Sequence, residues 1–569
     1  MTECIVPSKQ LIQVARRAVA GAMFATAMFV PALATAELTR LEVTTRVDVP
    51  QYGYERLGGK AHFRIDPVDP HNSLVADLSR APRTSDGKVE FTSDFYLLKP
   101  KNGGNRAVLL DVVNRGRKTV LTGFNRAAAT VSGGVEHLGD GFLMLRGFTV
   151  VGVGWEFDVA GRDGAVRIDA PAPRESGGPV VGTARATFIP DAREKSVTVG
   201  DLSGYVPLRP AAPENSLTVR DRVSDQPRPL ARDQWSLSGN TVTLASGFEP
   251  GKLYELSYLA ESPQIAGLGF VAVRDMGAWM KTSPEAGPAR YAYAFGSSQS
   301  GRFLRTFLYQ GFNSDERDRQ VFDGVMAHIA GAARIDLNRR WSIPVTLDMY
   351  SATAFPFADQ ALRDPVSGVT DGLLDNPRAR RHQPKILYTN TGVEYWGGGR
   401  SAALIHTTPD GTRDLTLPDN ERVYFLAGAQ HSPGRFPPEV GNGQQAGNPT
   451  DYWWTLRALL VRLDQWVRDG VEAPASQYPR LDRSTLVDVK AVAFPAIPGV
   501  QSPATLTGGQ RIANGLVDGG AGGGTSLPLL VPQVDADGNE TSGIRLPEIV
   551  VPLATYTGWN FRKPSIGAP

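Results

Sequence analysis

The sequence predicts an α/β protein built on a mostly parallel central sheet, and three stretches of chain lead to that prediction. Two nearly continuous apolar runs, RAVLLDVVNRG at 106–116 and FTVVGVGWEF at 148–157, are typical of strands buried on both faces. A third stretch, YAYAFGSSQSGRFLRTFLY at 291–309, passes from an apolar strand through a glycine- and serine-rich turn into a helical pattern. Strands that alternate with helices in this way form parallel sheets.

The other core elements follow from their own patterns. Residues 37–100 contain β-branched, alternating segments separated by Gly, Pro and Asp, which predict antiparallel strands at one edge of the sheet. Apolar residues at helical spacing predict long helices at 267–281 and 451–470. Three further core strands are predicted at VFDGVMAHIAG (321–331), PKILYTN (384–390) and RVYFLAGAQH (422–431).

Three segments lack the core pattern, and we interpret them as additions to a single domain spanning 37–569. Residues 160–262 are rich in Pro and Gly and hold short strand-like pieces, which predicts an inserted β-rich subdomain. Residues 334–383 are polar and Pro-rich, as expected of a cap-like insertion that shapes specificity. Residues 480–569, which include GGAGGG at 519–524, predict a C-terminal extension that wraps the core.

The first 36 residues have the composition of a secretory signal peptide. Basic residues at 9, 16 and 17 precede the apolar run AVAGAMFATAMFVPALATA, which ends in the small-x-small cleavage pattern ATA at 34–36. This run is short for a membrane span, and no comparable run follows it. We therefore expect an exported, periplasmic or extracellular protein whose mature chain has no membrane span.

Charge and cysteine content exclude several classes of function. The 60 basic and 58 acidic residues nearly cancel and form no long basic block, which argues against nucleic acid as a partner. The single cysteine, Cys4, lies in the segment to be removed, so the mature chain has no disulfide and no cysteine chemistry. The stretch VDADGNE at 534–540 resembles the opening of a calcium loop, but we favour a hairpin turn and expect no metal or cofactor.

The turn GSSQSG approximates the nucleophile elbow of α/β-hydrolases, in which a serine on a sharp strand-to-helix turn holds its hydroxyl above the sheet. Ser298 is the expected nucleophile, and Gly296 supplies the small residue required before it. Position +2 is Ser300, and Gly301 comes one residue later, so the motif is G-x-S-x-S-G instead of the common G-x-S-x-G. An ordinary Gly-Ser loop is the alternative interpretation.

A serine hydroxyl needs a base that is held by an acid, and in this fold the order along the chain is serine, acid, histidine. His431 directly follows a strong apolar strand, at the carboxyl end of the sheet where the catalytic histidine is expected. Three other histidines follow Ser298: His328 inside a predicted strand, His382 in a basic loop and His406 before a polar turn. We favour His431 as the base.

Glu394 is the favoured acid, because it is the first carboxylate after the predicted strand KILYTN. In this place it would orient the imidazole and stabilise the imidazolium. Asp410, Asp414 and Asp419 are nearer to His431 in sequence, but they lie in a stretch that predicts a solvated connection.

Two backbone amides would form an oxyanion hole for the tetrahedral intermediate. One is the N–H of Gln299, the residue after the nucleophile. The second would come from the loop after the first core strand, which contains Asn114, Arg115 and Gly116, although an ordinary turn is an equal interpretation of that loop.

Four stretches, GSSQSGRFLR, NTGVEYW, RVYFLAGAQH and TYTGWNFR, resemble a family of bacterial exported alpha/beta hydrolase domain proteins. The resemblance covers nearly all of the mature chain. It implies Ser298, Glu394 and His431 as the catalytic residues and no particular substrate. The variant elbow also resembles, more distantly, that of serine esterases acting on polymers and plant-wall esters.

The predicted function is a serine carboxylic-ester hydrolase that works through an acyl-enzyme intermediate on a small-molecule or polymeric ester. Tyr395 and Trp396 adjoin the acid and are expected to contact the substrate. An amidase or peptidase uses the same triad and is the first alternative. A non-catalytic binding protein that retains the hydrolase fold is the second. The oligomeric state is unknown from the sequence.

Overall fold

The computed structural model describes residues 38–128, 138–159, 164–198, 204–222, 224–344, 352–512 and 525–567. The predicted signal peptide at 1–36 and the glycine run at 519–524 lie outside the described residues. Within those ranges, no helix has the combined length and apolar character needed to cross a bilayer.

A ten-stranded sheet forms the centre of the described chain. Its first six strands are β1 (Leu38–Val49), β2 (Tyr54–Ile65), β3 (Val89–Pro100), β4 (Ala107–Val112), β5 (Thr149–Val153) and β6 (Ile168–Asp169). Strands β1 to β3 form an antiparallel meander at one edge, and the short β6 pairs with β3. All six residues of β4 are buried, as its continuous apolar sequence predicts for a strand covered on both faces.

Nine short strands follow and pair among themselves. They are β7 (Arg174–Glu175), β8 (Gly178–Pro179), β9 (Val181–Phe188), β10 (Glu194–Thr198), β11 (Ser216–Arg220), β12 (Arg228–Pro229), β13 (Trp235–Ser238), β14 (Thr241–Phe248) and β15 (Leu253–Glu261). They build a four-stranded sheet (β12-β11-β15-β9), a three-stranded sheet (β10-β14-β13) and the hairpin β7-β8. Their inward side chains, such as Leu217, Trp235 and Phe248, form a hydrophobic cluster of their own.

The remaining strands are β16 (Tyr291–Ser297), β17 (Gly324–His328), β18 (Ala352–Ala354), β19 (Leu362–Arg363), β20 (Thr370–Asp371), β21 (Lys385–Thr391), β22 (Glu421–Leu426), β23 (Leu486–Asp488), β24 (Gln510–Ile512) and β25 (Leu530–Pro532). Four of them complete the central sheet, whose order is β1-β2-β3-β5-β4-β16-β17-β21-β22. The strands from β5 to β22 in this order all run parallel. The predicted mostly parallel central sheet is therefore confirmed.

The α-helices of the described chain are α1 (Thr119–Phe124), α2 (Phe142–Leu145), α3 (Leu268–Thr282), α4 (Gln299–Tyr309), α5 (Pro377–Arg381), α6 (Gly392–Trp396), α7 (Trp453–Asp469) and α8 (Pro547–Val550). Helix α3 is buried along almost its whole length, which its small and apolar residues allow. Helix α7 ends at Gly470, whose φ of 70° provides the left-handed conformation that closes many helices.

The order of strands reverses beside β4. The next strand in sequence, β5, lies on one side of β4, whereas β16 lies on the other. The loops that leave the carboxyl ends of β4 and β16 therefore diverge, and such a switch point leaves a crevice in which α/β proteins bind ligands. Aromatic rings pack next to this crevice. The ring centroids of Phe124 and Trp453 lie 4.9 Å and 6.0 Å from that of Phe295 on β16.

Candidate active site

Ser298 occupies a strained turn between β16 and α4. Its φ of 59° and ψ of −117° are a conformation that residues with a Cβ rarely adopt. Two backbone hydrogen bonds hold it there, because its amide donates to the His328 carbonyl of β17 at 2.8 Å and its carbonyl accepts from Arg302 at 3.0 Å. The turn directs the serine side chain to the crevice at the carboxyl end of the sheet.

The small residues around Ser298 are required by close backbone approaches. A Cβ on Gly296 would lie 2.3 Å from the Ser300 carbonyl oxygen, and one on Gly301 would lie 2.8 Å from the His328 carbonyl oxygen. The buried Ser300 hydroxyl donates to the Val113 carbonyl at 3.0 Å, so it ties α4 to the chain that leaves β4. The serine at position +2, where the common motif has glycine, thus provides a hydroxyl that bonds to the buried Val113 carbonyl.

Three of the residues selected from the sequence form a continuous hydrogen-bonded series. Ser298 Oγ lies 2.7 Å from His431 Nε2, and His431 Nδ1 lies 2.7 Å from Glu394 Oε1. Each residue follows the carboxyl end of a parallel strand: β16 for the serine, β21 for the glutamate and β22 for the histidine. The Tyr452 hydroxyl donates to the His431 carbonyl at 2.7 Å and holds the histidine loop in place.

Glu394 is fully buried and ionised. It occupies the third position of α6 in a capping box, where the amide and the hydroxyl of Thr391 donate to Oε2 at 2.9 Å and 2.6 Å. Burial by itself would raise the pKa of Glu394, but attraction to His431 and Arg400 and these hydrogen bonds hold it well below its ordinary value. Its second oxygen, Oε1, is left to face the histidine.

Arg400 is a member of this group that the sequence reasoning missed. Its Nη1 lies 2.7 Å from Glu394 Oε1 and 2.6 Å from His431 Nδ1. The side chain is only 12% exposed, and the Arg400 carbonyl accepts from the Ala332 amide at 2.7 Å. Its only signal in the sequence is its position in GGGR, six residues after Glu394.

Two charged groups meet at His431 Nδ1. Glu394 can only accept a hydrogen bond and favours an imidazole whose hydrogen is on Nδ1 and whose Nε2 lone pair faces the Ser298 hydroxyl, whereas Arg400, 2.6 Å from the same nitrogen, can only donate and opposes that hydrogen. The tautomer that bonds to Glu394 through Nδ1 is the one that a general base requires. Burial and the positive charge of Arg400 lower the pKa of His431, whereas Glu394 opposes them. The imidazole is therefore neutral at pH 7.

The other histidines after Ser298 make contacts elsewhere. Burial lowers the pKa of His328 and of His406 to about 3, so both are neutral interior side chains. The ring partners of the three histidines are Thr389 Oγ1 for His328, the Tyr395 hydroxyl for His406 and Asp318 for His382.

The aspartates weighed against Glu394 do not reach His431. Asp410 accepts hydrogen bonds from Thr408 and Thr412 within its own turn. Asp414 accepts from the backbone amides of Leu481 and Asp482. Asp419 precedes β22, at the end of the strand opposite to His431.

Gln299 is the first residue of α4, and its amide is one of those that have no acceptor within the helix. Its side chain is held away from the crevice, since Nε2 donates to Glu156 Oε1 at 2.9 Å and to the Pro344 carbonyl at 2.7 Å. This anchoring fixes the direction of the first helical turn, and with it the amide predicted for the oxyanion hole.

The predicted second oxyanion loop is a tight turn in which Arg115 and Gly116 have φ values of 50° and 70°. The Asn114 side chain donates to the Ser297 carbonyl at 3.0 Å, which joins the loop to the elbow. The Arg115 side chain instead points to Glu156, with Nη1 and Oε1 separated by 2.9 Å. Asn114 and Gly116 line the crevice, whereas the side chain of Arg115 points away from it.

The crevice is a cavity of about 610 Å³ with Ser298 and His431 in its lining. Its apolar lining includes Leu98, Leu121, Leu138, Ile329 and Trp453, and its charged lining includes Arg56, Arg117, Lys118 and Arg126. A cavity of this size suits a small organic ligand.

Tyr395 and Trp396 are not brought to this cavity. The Tyr395 hydroxyl contacts His406 Nε2 at 2.9 Å, and Trp396 Nε1 donates to Glu540 Oε1 at 2.7 Å. Successive residues of a helix point about 100° apart, so the neighbours of Glu394 on α6 face other parts of the protein. Both rings are buried in separate hydrophobic clusters.

A family model described as alpha/beta hydrolase domain matches residues 224–567, which is more than half of the chain. The matched region contains Ser298, Glu394, Arg400 and His431. No curated protein and no solved structure matches the chain.

Proposed function

Because the chain belongs to the alpha/beta hydrolase domain family, we propose that it is a serine hydrolase that cleaves carboxylic esters through an acyl-enzyme intermediate. The observation that carries the proposal is the series from Ser298 through His431 to Glu394, with 2.7 Å at each step. The cavity beside Ser298 supports it by providing room for a substrate.

In the first half of the proposed reaction, Ser298 Oγ attacks the ester carbonyl carbon while His431 Nε2 takes the hydroxyl proton. The carbonyl π electrons move to the oxygen, and the amide of Gln299, with an amide from the loop at 114–116, stabilises the resulting oxyanion. When the intermediate collapses, the bond to the leaving alcohol breaks and the imidazolium returns its proton to the alcohol oxygen. The acyl group is left on Ser298.

In the second half, water replaces the alcohol. His431 takes a proton from the water molecule as the water oxygen attacks the acyl carbon. When the second tetrahedral intermediate collapses, the bond to Ser298 Oγ breaks, the carboxylic acid is released and His431 returns the proton to Ser298 Oγ. Glu394 stays ionised throughout. Its charge stabilises the imidazolium in both halves, which is consistent with its lowered pKa.

We also propose that the protein is exported and cleaved after Ala36. The basic residues, apolar run and ATA pattern of 1–36 support this proposal. Expression of the full-length gene in a bacterial host, followed by intact mass measurement of protein from the periplasm and medium, tests it. We expect a mature chain that begins at Glu37; a product that keeps residues 1–36 in the cytoplasm would contradict export.

The test of the activity uses the same mature protein and short-chain 4-nitrophenyl esters. The Ser298→Ala variant should keep the wild-type melting temperature and lose turnover. A fluorophosphonate probe should label wild type but not the variant, and the labelled peptide should contain Ser298. A label on Ser432, another serine lining the cavity, or full activity in Ser298→Ala, would refute the assignment.

Ester and amide analogues of one acyl group separate the proposed esterase from an amidase or peptidase. The esterase proposal predicts turnover of the ester and little turnover of the amide. A folded protein that reacts with neither the analogues nor the probe would instead be a binding protein on a hydrolase fold.

A further inference from the structure

The described residues that line the Ser298 cavity carry charge of one sign. Four of their side chains are basic and none is acidic. The four are Arg56, Arg117, Lys118 and Arg126. Such a wall raises the local concentration of anions, because a concave, partly apolar surface concentrates the field of the charges that line it.

One of these charges is already neutralised. The Arg126 guanidinium makes two contacts with the Asp451 carboxylate, at 3.3 Å and 2.5 Å. It also lies over the Trp454 ring, 5.6 Å from the ring centroid. Arg126 is thus accounted for by contacts within the protein.

The other three cations, Arg56, Arg117 and Lys118, form what we call the cationic wall. In the part of the chain that the structure describes, none of them has a carboxylate at ion-pair distance. Arg56 and Lys118 are half-buried. Burial, together with the charge of Arg56, lowers the pKa of Lys118, as expected when two like charges face each other.

Asp111, a buried carboxyl group that attracts Lys118, does not line the cavity. Its Oδ2 accepts from the Tyr96 hydroxyl at 2.7 Å and from the Val120 amide at 3.1 Å. Burial raises the pKa of Asp111, whereas these hydrogen bonds and Lys118 lower it. Asp111 therefore faces Tyr96 and α1 and presents no carboxylate to the cavity.

The cationic wall is assembled from separate parts of the fold. Arg56 comes from β2, whereas Arg117 and Lys118 follow β4 and lead into α1. Lys118 Nζ lies 5.4 Å from the centroid of the Tyr96 ring, an aromatic face that also lines the cavity. Cations that converge on one cavity repel one another, and an anion that enters the cavity relieves this repulsion.

We propose that the cationic wall binds a carboxylate of the substrate, so that the ester cleaved at Ser298 carries a second, negatively charged group. The inference rests on the proposed function and names its substrate class. Leu121, Leu138 and Trp453 line the same cavity and receive the hydrocarbon part of the molecule. The substrate is therefore an amphiphilic organic anion with an ester bond.

The experiment compares two matched pairs of esters, one for each side of the scissile bond. Mono(4-nitrophenyl) adipate against 4-nitrophenyl hexanoate places the carboxylate on the acyl side. 4-Acetoxybenzoate against 4-methylphenyl acetate places it on the alcohol side. Wild type should show the higher kcat/KM for the charged ester of at least one pair, and that preference should shrink as NaCl is added, because salt screens the attraction.

The variants Arg56→Gln and Lys118→Gln test which charges are responsible. Each should lower the ratio of kcat/KM for the charged ester to that for the neutral ester, by roughly tenfold for one charge in a partly desolvated site. The matched control is Arg462→Gln, which removes an exposed positive charge of α7 outside the cavity lining and should leave the ratio unchanged. Equal rates for both esters of both pairs, or a ratio that neither cavity variant moves, would overturn the inference while the hydrolase proposal stands.

A binding measurement separates this failure from failure of the proposed function. Calorimetric titration of Ser298→Ala with monomethyl adipate should give binding that weakens when Arg56→Gln or Lys118→Gln is added to it. If wild type hydrolyses no ester and takes no fluorophosphonate label but this binding pattern is found, the hydrolase proposal fails and the anion site stands. If binding is absent or insensitive to both changes, the anion site is wrong whatever the activity.

Discussion

Arg400 places a permanent positive charge against Glu394 and His431, the proposed acid and base. It stabilises the ionised form of Glu394 and disfavours the imidazolium form of His431. A base in this environment stays neutral, and therefore competent, at a lower pH than a free imidazole. The activity should persist below the ordinary histidine pKa of about 6.5.

Removal of this charge should shift the pH dependence of catalysis. In Arg400→Gln, the imidazolium of His431 is no longer repelled, so its pKa rises and the acid limb of kcat/KM moves to higher pH. The sign follows from the role of the base, whose activity is lost as pH falls through its own pKa. The measurement is the pH profile of kcat/KM for a neutral ester.

The matched control keeps the charge. Arg400→Lys should leave the acid limb near its wild-type position even if the maximal rate falls, because an ammonium group provides the same repulsion. A profile that moves equally in both variants, or in neither, would mean that Arg400 acts only as a structural support.

Glu394 should matter far more than any aspartate nearby in sequence. Glu394→Gln removes the charge that stabilises the imidazolium and replaces an acceptor with an amide, so kcat should fall by roughly 10⁴-fold with little change in KM. Asp410→Asn, Asp414→Asn and Asp419→Asn should each stay within a few-fold of wild type. The measurement is the steady-state kcat and KM of the four variants. If activity collapses in one aspartate variant and not in Glu394→Gln, that aspartate is the acid.

At the scale of elements, a strained residue directly follows each of the neighbouring strands β16 and β17. Ser298 has a φ of 59°, and Ile329, a β-branched residue in the cavity lining, has a φ of 47°. Each strained residue is bonded to the next strand of the sheet, Ser298 to the His328 carbonyl and Ile329 to the Thr389 carbonyl at 2.7 Å. The parallel sheet therefore holds in place the conformations that expose the serine.

A methyl group at Gly296 should break this arrangement. In Gly296→Ala the new Cβ would meet backbone atoms of Ser300, which cannot move without shifting α4, and we expect a loss of about 2–3 kcal/mol in the free energy of unfolding. Urea unfolding measures this cost, and fluorophosphonate labelling of the folded fraction should slow. Gly441→Ala is the control, since a Cβ there meets nothing within 4 Å; equal stability of the two variants would contradict the steric reason.

At the scale of the whole molecule, the features that could be predicted are those that depend on short stretches of sequence. The apolar runs of β4 and β5 predict burial on both faces, which is typical of strands inside a parallel sheet. Ser298, Glu394 and His431 could be selected because each lies soon after the end of a strand, and carboxyl ends of parallel strands meet at one edge.

The features that could not be predicted depend on contacts between distant parts of the chain. Arg400 carries no motif, and its role follows from how the chain after α6 folds back on Glu394. Tyr395 and Trp396 were chosen because they adjoin the acid, but the rotation of α6 sends them into other clusters. The same limit applies to the cationic wall, since Arg56 and Lys118 meet only after β2 and β4 have entered the sheet.

The cavity lining is drawn from two regions of the gene. The proposed nucleophile, acid and base lie within residues 224–567, whereas all three members of the cationic wall are encoded before residue 224. Substitutions of Arg56, Arg117 or Lys118, all before residue 224, can therefore alter which molecule is accepted while Ser298, His431 and Glu394 stay unchanged. A relative recognised by residues 224–567 alone therefore shares the proposed reaction but not necessarily the substrate. Descendants of one ancestor can come to use different esters while the reaction stays the same.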